Sequence, residues 1–148
     1  MKPIVSVRSL QKNDLPGILR IERKSFDDDA WARDVFLEYA SAAPDLFLVA
    51  RVGARIAGYS IANLARHGAE IASLAVLPRQ RRKGVATVLL KATMRRARRA
   101  GARTAWLMVR RKNEDAIRLY RQLGFVRVAT VANYYGQNAP GWRMKIRL

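Results

Sequence analysis

The sequence contains no cysteine in its 148 residues. That absence excludes a disulfide framework, a thiolate zinc site, an iron–sulfur cluster and a cysteine nucleophile together. Histidine occurs once, as His67, so a site built on several imidazoles is excluded too, and no metal is expected. Acidic residues are scarce, with 11 Asp plus Glu against 29 Lys plus Arg, a formal net charge of +18. Long apolar runs are missing as well. The longest near-apolar stretch, Ile71 to Leu77, falls far short of the roughly 20 residues a membrane helix needs, and Arg8 breaks the short apolar stretch near the start. Neither a leader nor a membrane segment is expected, and the cytoplasm is the expected location.

What is present is enough to build a core. Half the residues are hydrophobic and 8% are aromatic, too apolar for a disordered polyelectrolyte. No linker, repeat or low-complexity tract divides the chain, so one continuous domain over residues 1–148 is expected. The positive charge should attract polyanions: nucleic acid, acidic proteins or a phosphorylated cofactor. Charge alone does not choose among them.

Periodicity predicts a mixture of strands and helices. Ile4 to Arg8 alternates like a strand, and Asn13-Asp14 offer cap chemistry ahead of Leu15, Ile18, Leu19 and Glu22 at helical spacing. Trp31, Val35, Phe36 and Tyr39 repeat that spacing, whereas Phe47 to Arg51 and Gly58 to Ala65 read as strands of a hairpin turning near Gly53. Glu70 to Val76 reads as a mostly buried strand ended by Pro78. Val85, Val88, Leu89 and Ala92 form the apolar stripe of an amphipathic helix, with Lys91, Arg95, Arg96 and Arg99 turned elsewhere. Ala105 to Val109 is a further strand. Asn113 caps a helix with Glu114 and Asp115 in its first turn and Gly124 past its end. Phe125 to Ala129 and Trp142 to Ile146 complete an α/β or α+β pattern.

The most informative stretch runs from Leu74-Ala75-Val76 through a basic loop into Arg81-Arg82-Lys83-Gly84-Val85-Ala86-Thr87. A helix start presents backbone N–H groups without intrahelical partners and the positive end of the macrodipole, and small residues there admit a phosphate. Neither the Walker A spacing nor G-x-G-x-x-G occurs, which disfavours a nucleoside triphosphatase and a dinucleotide fold. Standing alone, the run reads equally well as a solvated turn.

It does not stand alone. Arg81-Arg82-Lys83-Gly84-Val85-Ala86 resembles the [QR]-x-x-G-x-[GA] signature of the GCN5-related N-acetyltransferase superfamily. Asn113 with Ala116, Tyr120, Gly124 and Phe125 resembles that family's N-x-x-A-x-x-x-Y-x-x-x-G-F segment. Asn133-Tyr134-Tyr135 is similar to an element of the ribosomal-protein alanine N-acetyltransferase branch. The resemblance implies a mixed, mainly antiparallel sheet of about seven strands flanked by about four helices, with strands four and five splayed. It also implies acetyl-CoA as co-substrate: Leu74, Ala75 and Val76 would meet the pantetheine arm, residues Arg81 to Thr87 the pyrophosphate, and Asn113 and Tyr120 would also touch the cofactor.

Acetyl transfer to an amine needs a neutral amine and a stabilised leaving sulfur. The resemblance makes Glu70 the base and Tyr120 the general acid; without it, Glu70 reads as a strand residue paired with an arginine and Tyr120 as a core aromatic beside Ile117. The alanine-specific branch carries a glutamate where this chain has Met108, so either Glu70 or ordered water serves instead, or the substrate differs from that branch's. Tyr134 and Tyr135 would line the acceptor groove or else pack as a loop, and His67 reads as a turn residue. No acid follows the tyrosines through Arg143, so a neutral or acidic peptide is the better acceptor. The expected acceptor is the primary amine of a protein or peptide, at an N-terminus or lysine, a ribosomal protein among the candidates. A small-molecule amine is the rival acceptor. A basic nucleic-acid-binding module explains the charge, which would give non-specific nucleic-acid attraction in any case, but not the two motifs in register.

Overall fold

A computed structural model describes residues 4–26, 30–66, 68–81 and 84–148. His67, Arg82 and Lys83 lie outside the described residues. The frame is one seven-stranded sheet in the order β1-β2-β3-β4-β5-β7-β6. Its strands are β1 (Val5–Ser9), β2 (Phe47–Val52), β3 (Arg55–Ala65), β4 (Gly68–Val76), β5 (Thr104–Arg110), β6 (Val126–Val131) and β7 (Gly141–Arg147). All neighbours pair antiparallel except β4 and β5, which run parallel. Four α-helices flank the sheet: α1 (Leu15–Phe26), α2 (Arg33–Ala42), α3 (Val85–Arg99) and α4 (Glu114–Gln122).

Two differences from the sequence reading are local. β3 begins at Arg55, three residues sooner than expected, because the hairpin turn is as tight as Gly53 at φ +62° allows. β4 begins at Gly68, two residues sooner than expected, so Glu70 sits inside the strand ladder rather than at its first position. Gly68 adopts φ +139°, and a side chain there would collide with Thr104 at the start of β5. Glycine is what lets β4 and β5 come together.

The alternation of each strand decides which helix covers which face. Phe47, Val49, Tyr59 and Ile61 point to one side, where Ile18 and Ile21 of α1 and Phe36 of α2 close over them. Phe36 meets the Tyr59 ring edge-on at 5.7 Å, and truncating so buried a ring costs about 3–5 kcal/mol. On the opposite side, α3 packs through Val85, Leu89 and Ala92 onto Leu48, Ala50 and Ala57. α4 lays Ile117 and Tyr120 against Leu107, Val109 and Met144. Arg96 departs from the expected exposed stripe of α3, because its guanidinium donates to Ser9 Oγ at 2.6 Å and to the Asp45 carbonyl at 3.1 Å. It ties the helix to the sheet edge.

α4 is bounded as its sequence predicts. The Asn113 side chain accepts from the Ala116 N–H at 3.2 Å. At the other end the N–H groups of Gly124 and Phe125 return to the carbonyls of Arg121 and Tyr120, the closing pattern that a left-handed glycine permits. These two ends hold Tyr120 at a fixed depth. Among the described residues no helix is long and apolar enough to cross a membrane.

Candidate active site

The site exists because β4 and β5 part company. They pair only at Ala69 with Ala105 and Glu70 with Trp106. Just beyond, Ile61 of β3 pairs with Ser73 and Ala62 with Ile71, leaving Ala72 as an inserted residue. Such a bulge bends the strand that carries it. From Ile71 onward β4 has no partner on its β5 side, and the wedge between the strands is the site.

Two cavities fill the wedge. One, of about 840 Å³, is bounded by Leu74, Ala75 and Val76, by the start of α3 from Gly84 to Thr87, and by Asn113 and Tyr120 of the α4 segment. The other, of about 570 Å³, is lined by Glu22, Trp31, Glu70, Met108, Tyr134 and Tyr135. Leu74, Asn113 and Tyr120 border both. The Tyr120 side chain therefore stands where the two spaces meet.

The larger space is built for an anion at one end. Gly84 precedes α3 at φ +79° with no side chain capping the helix, and the first intrahelical bond runs from the Val88 N–H to the Gly84 carbonyl at 3.1 Å. No acid occupies the first turn, so the helix dipole is uncompensated there. A Cβ on Gly84 would meet nothing within 4 Å; the left-handed turn, not crowding, is what calls for glycine. Arg81 borders the same space, and its Nε donates to the Val76 carbonyl at 3.2 Å. Two buried polar atoms on this wall, Ser25 Oγ and Gln80 Oε1, have no hydrogen-bond partner among the described residues. Together with the bare edge of β4, they suit a ligand that carries phosphate at one end and amides along its length.

The smaller space gathers ionisable groups in unequal environments. Burial pushes the Glu70 carboxyl above its ordinary range, and the charge of Arg143 opposes that shift. Among the described residues Glu70 is not within ion-pair distance of an arginine, and Arg143 acts on it through its charge alone. Tyr120 is 9% exposed. Burial, reinforced by the neighbouring Tyr135, raises its phenol well above the ordinary value, so it keeps its proton. Tyr135 is itself pushed up to about 12 by burial and by Tyr134. Its ring stands edge-on to Tyr134 at 4.8 Å and lies under the Arg110 guanidinium at 4.5 Å. The loop carrying both is tied by the Asn138 N–H donating to Asn133 Oδ1 at 3.0 Å, so the two rings are placed by a closed turn.

The structure thus brings Glu70, Tyr120, Tyr134 and Tyr135 to one cavity, and Leu74, Ala75, Val76, Arg81, Gly84, Val85, Ala86, Thr87 and Asn113 to the other. Sequence reasoning missed Glu22, which reads only as one position of the α1 pattern. It is 1% exposed. Its carboxyl accepts the Trp31 N–H at 2.8 Å and the Tyr59 hydroxyl, which also approaches Ser73 Oγ at 3.4 Å. Burial raises its pKa. A glutamate at a core-facing helical position is the signal that could have found it, since such a charge needs partners.

Comparison with known proteins agrees with this geometry. The model of the acetyltransferase (GNAT) family matches residues 7–125. An N-alpha-acetyltransferase of Sulfurisphaera tokodaii is 28% identical over 152 residues, covering 93% of this chain and 90% of that protein. The [ribosomal protein bS18]-alanine N-acetyltransferase of Escherichia coli K12 is 29% identical over 130 residues, covering 88% and 86%. The crystal structure of Ard1 from Thermoplasma volcanium superposes with a TM-score of 0.91 at 28% identity, over 97% of each chain. With the splayed strands, the anion-ready helix start and the buried tyrosine between two cavities, the chain belongs to the acetyltransferase (GNAT) family and is an acetyl-CoA-dependent N-acetyltransferase.

Proposed function

We propose that the acceptor is the amine of a polypeptide, its α-amino group first, and that the chain works as one N-acetyltransferase domain in the cytoplasm. The observation that carries this reading is the 570 Å³ cavity meeting the larger cleft at Tyr120, with Glu70, Tyr134 and Tyr135 around it. It has room for a short run of residues, walled by rings and hydroxyls that suit a peptide backbone. The Sulfurisphaera and Escherichia relatives, an N-alpha-acetyltransferase and a ribosomal-protein alanine N-acetyltransferase, support a protein N-terminus and make a ribosomal protein a candidate.

Each residue then has a task. Acetyl-CoA supplies a thioester-activated acetyl group when bound. Leu74, Ala75 and Val76 offer backbone groups along the bare edge of β4, while the turn of Gly84 to Thr87 offers N–H groups to an anion, with Arg81, Arg82 and Lys83 adding charge. Asn113 holds the start of α4 at the junction. Glu70, half-buried and without an ion pair among the described residues, takes the proton an incoming ammonium must lose before its nitrogen can attack. Tyr120 keeps its own proton and donates a hydrogen bond where negative charge develops at the junction. No covalent enzyme intermediate is required, and attack is direct.

The test is a panel of acceptors assayed with acetyl-CoA by release of free thiol. Peptides with small N-terminal residues should exceed N-blocked controls, spermidine and aminoglycosides in kcat/KM. If spermidine or an aminoglycoside outpaced every peptide, the polypeptide acceptor would be wrong while the acetyl-transfer chemistry survived.

A further inference from the structure

Over β5, β7 and β6 one face of the sheet carries no helix among the described residues, and the Tyr134-Tyr135 loop packs on it at the Met108 and Arg110 end. On β5, Ala105, Leu107 and Val109 are buried toward α4, so Thr104, Trp106, Met108 and Arg110 emerge on the other side. On β7, Met144 is buried and Trp142 and Ile146 join the same core, which sends Arg143, Lys145 and Arg147 to the opposite side, all three exposed. The register aligns them across the strands: Met108 with Arg143, Trp106 with Lys145, and Thr104 with Arg147. β6 adds Val126, 60% exposed, beside Lys145, and Ala129 beside Arg143. α1 and α2 stop over β3 and β4, packing on Tyr59, Ile61 and Ala75.

We propose that this face is a docking track for the acceptor polypeptide downstream of its reacting amine, and that it selects an extended acidic segment. The inference rests on the polypeptide-acceptor reading above. Three observations carry it. The track begins at the acceptor cavity, because Met108 lines that cavity and is the cross-strand partner of Arg143. Beyond the cavity its charge is of one sign: Lys145 and Arg147 have no ion pair among the described residues, while Arg143 at the cavity end acts on Glu70 through its charge. Its spacing fits: alternate residues of a strand repeat every ~6.7 Å on one face, the same repeat that an extended peptide gives its own alternate side chains.

Apolar surface between the cations favours a peptide over a nucleic acid. The Arg143 guanidinium carbon sits over the Trp106 ring at 4.2 Å, a cation–π contact that helps to hold an exposed arginine where a carboxylate can reach it. Val126 and Ala129 offer aliphatic contact between charges and no donor for a base edge. An acceptor with Asp or Glu at alternate positions beyond the first few residues would thus meet a cation at each step, as it leaves the cavity along β7.

The experiment compares peptides sharing one N-terminal tetrapeptide and differing in a following tail of alternating Glu, Gln or Lys. At low salt the Glu tail should give kcat/KM about tenfold above the Gln tail, mainly through KM, since exposed ion pairs contribute a few-fold each. That ratio should shrink toward one as salt rises. Lys145→Gln with Arg147→Gln should cut the Glu-over-Gln ratio to about twofold, and Lys145→Glu with Arg147→Glu should invert the order so that the Lys tail leads. Both pairs are exposed on a strand, and a thermal melt checks that each variant is folded. Lys91→Gln with Arg95→Gln on α3 lowers net charge equally at a distance and should leave the ratio in place.

Equal rates for the three tails overturn the track alone; no turnover with any peptide overturns the polypeptide acceptor as well. Loss of the ratio in the α3 variant overturns the track in favour of overall charge. If a single-stranded RNA 20-mer competes with the Glu tail at equal or lower concentration, and Lys145→Gln with Arg147→Gln abolishes that competition, the face belongs to nucleic acid and the proposal falls.

Discussion

Replacing Tyr120 by Phe removes one oxygen from the junction of the two cavities and leaves the ring in place. The consequences can be separated because of where that oxygen stands. The ring packs at 5.8 Å against Phe125 and belongs to the core beneath α4, so the variant keeps the packing. The hydroxyl has no hydrogen-bond partner among the described residues, so no partner is left unsatisfied by its loss. The fold should therefore lose under about 1 kcal/mol, within the range of surface-like changes. Rate is a different matter. Positioned proton donors contribute about 10²–10⁴-fold, and the lower end, about 10²-fold, corresponds to about 2.7 kcal/mol of transition-state stabilisation.

The assay is release of free thiol at saturating acetyl-CoA and peptide, with KM for acetyl-CoA and a thermal melt measured alongside. A loss of about 10²-fold in kcat with KM changed less than threefold and an unshifted melt is the expected signature of an interaction made only in the transition state. Burial also holds the phenol protonated far above neutrality, so between pH 6 and about 9 the parent should show no alkaline fall in kcat that vanishes in the variant. Equal kcat in the two proteins removes Tyr120 from the mechanism. A parallel drop in melting temperature would instead make it a structural residue.

Gly84→Val should weaken acetyl-CoA binding at least tenfold by titration calorimetry, because a β-branched residue cannot hold φ +79° and the start of α3 must reshape; unchanged affinity would place the anion elsewhere. As a base, Glu70 must be ionised, so kcat/KM should climb as pH rises through its raised pKa; Glu70→Gln should erase that limb, and an unaltered profile would hand the role to water. For Glu22, whose folded pKa lies above its unfolded one, stability should fall as pH rises upward from the ordinary glutamate value, and Glu22→Gln should flatten that slope in denaturant titrations. Glu22→Ala strands the Trp31 N–H and the Tyr59 hydroxyl and should cost about 2–4 kcal/mol, whereas a cost below about 0.5 kcal/mol would mean that these bonds are not formed in solution.

The junction at Tyr120 ties these effects together. In the proposed mechanism Glu70 as base and Tyr120 as acid share one small cavity, and burial raises the pKa of both. It raises Glu70, bringing its affinity for a proton closer to that of an amine it must relieve. It raises Tyr120 too, so the phenol keeps its proton, as the proposed hydrogen-bond donor must. Arg143 limits the first shift and not the second. The same arginine begins the cationic row of β7, so the proposed track would bring an arriving acceptor's charge beside the group that opposes the shift of Glu70.

How much of this is legible without coordinates depends on the range of the interaction concerned. Asn113, Gly124 and the small-residue turn at Gly84 and Ala86 act within a few residues of themselves, so the helix ends can be read from spacing, while the anion-binding reading of the turn takes the resemblance of two motifs in register. The α3 stripe of Val85, Leu89 and Ala92 is equally local, because helical period and burial are the same statement. Arg96 is not: its partners Ser9 and Asp45 lie 87 and 51 residues away, and nothing nearby distinguishes it from Arg95 or Arg99. The wedge depends on one inserted residue, Ala72, whose effect appears only when β3 is laid beside β4. Glu22 lies between the two cases. Its helical position predicts burial and its charge forbids burial without partners, so the sequence alone demands a hydrogen-bonding network, while only the fold reveals that the network runs through Tyr59 to the cavity wall at Ser73.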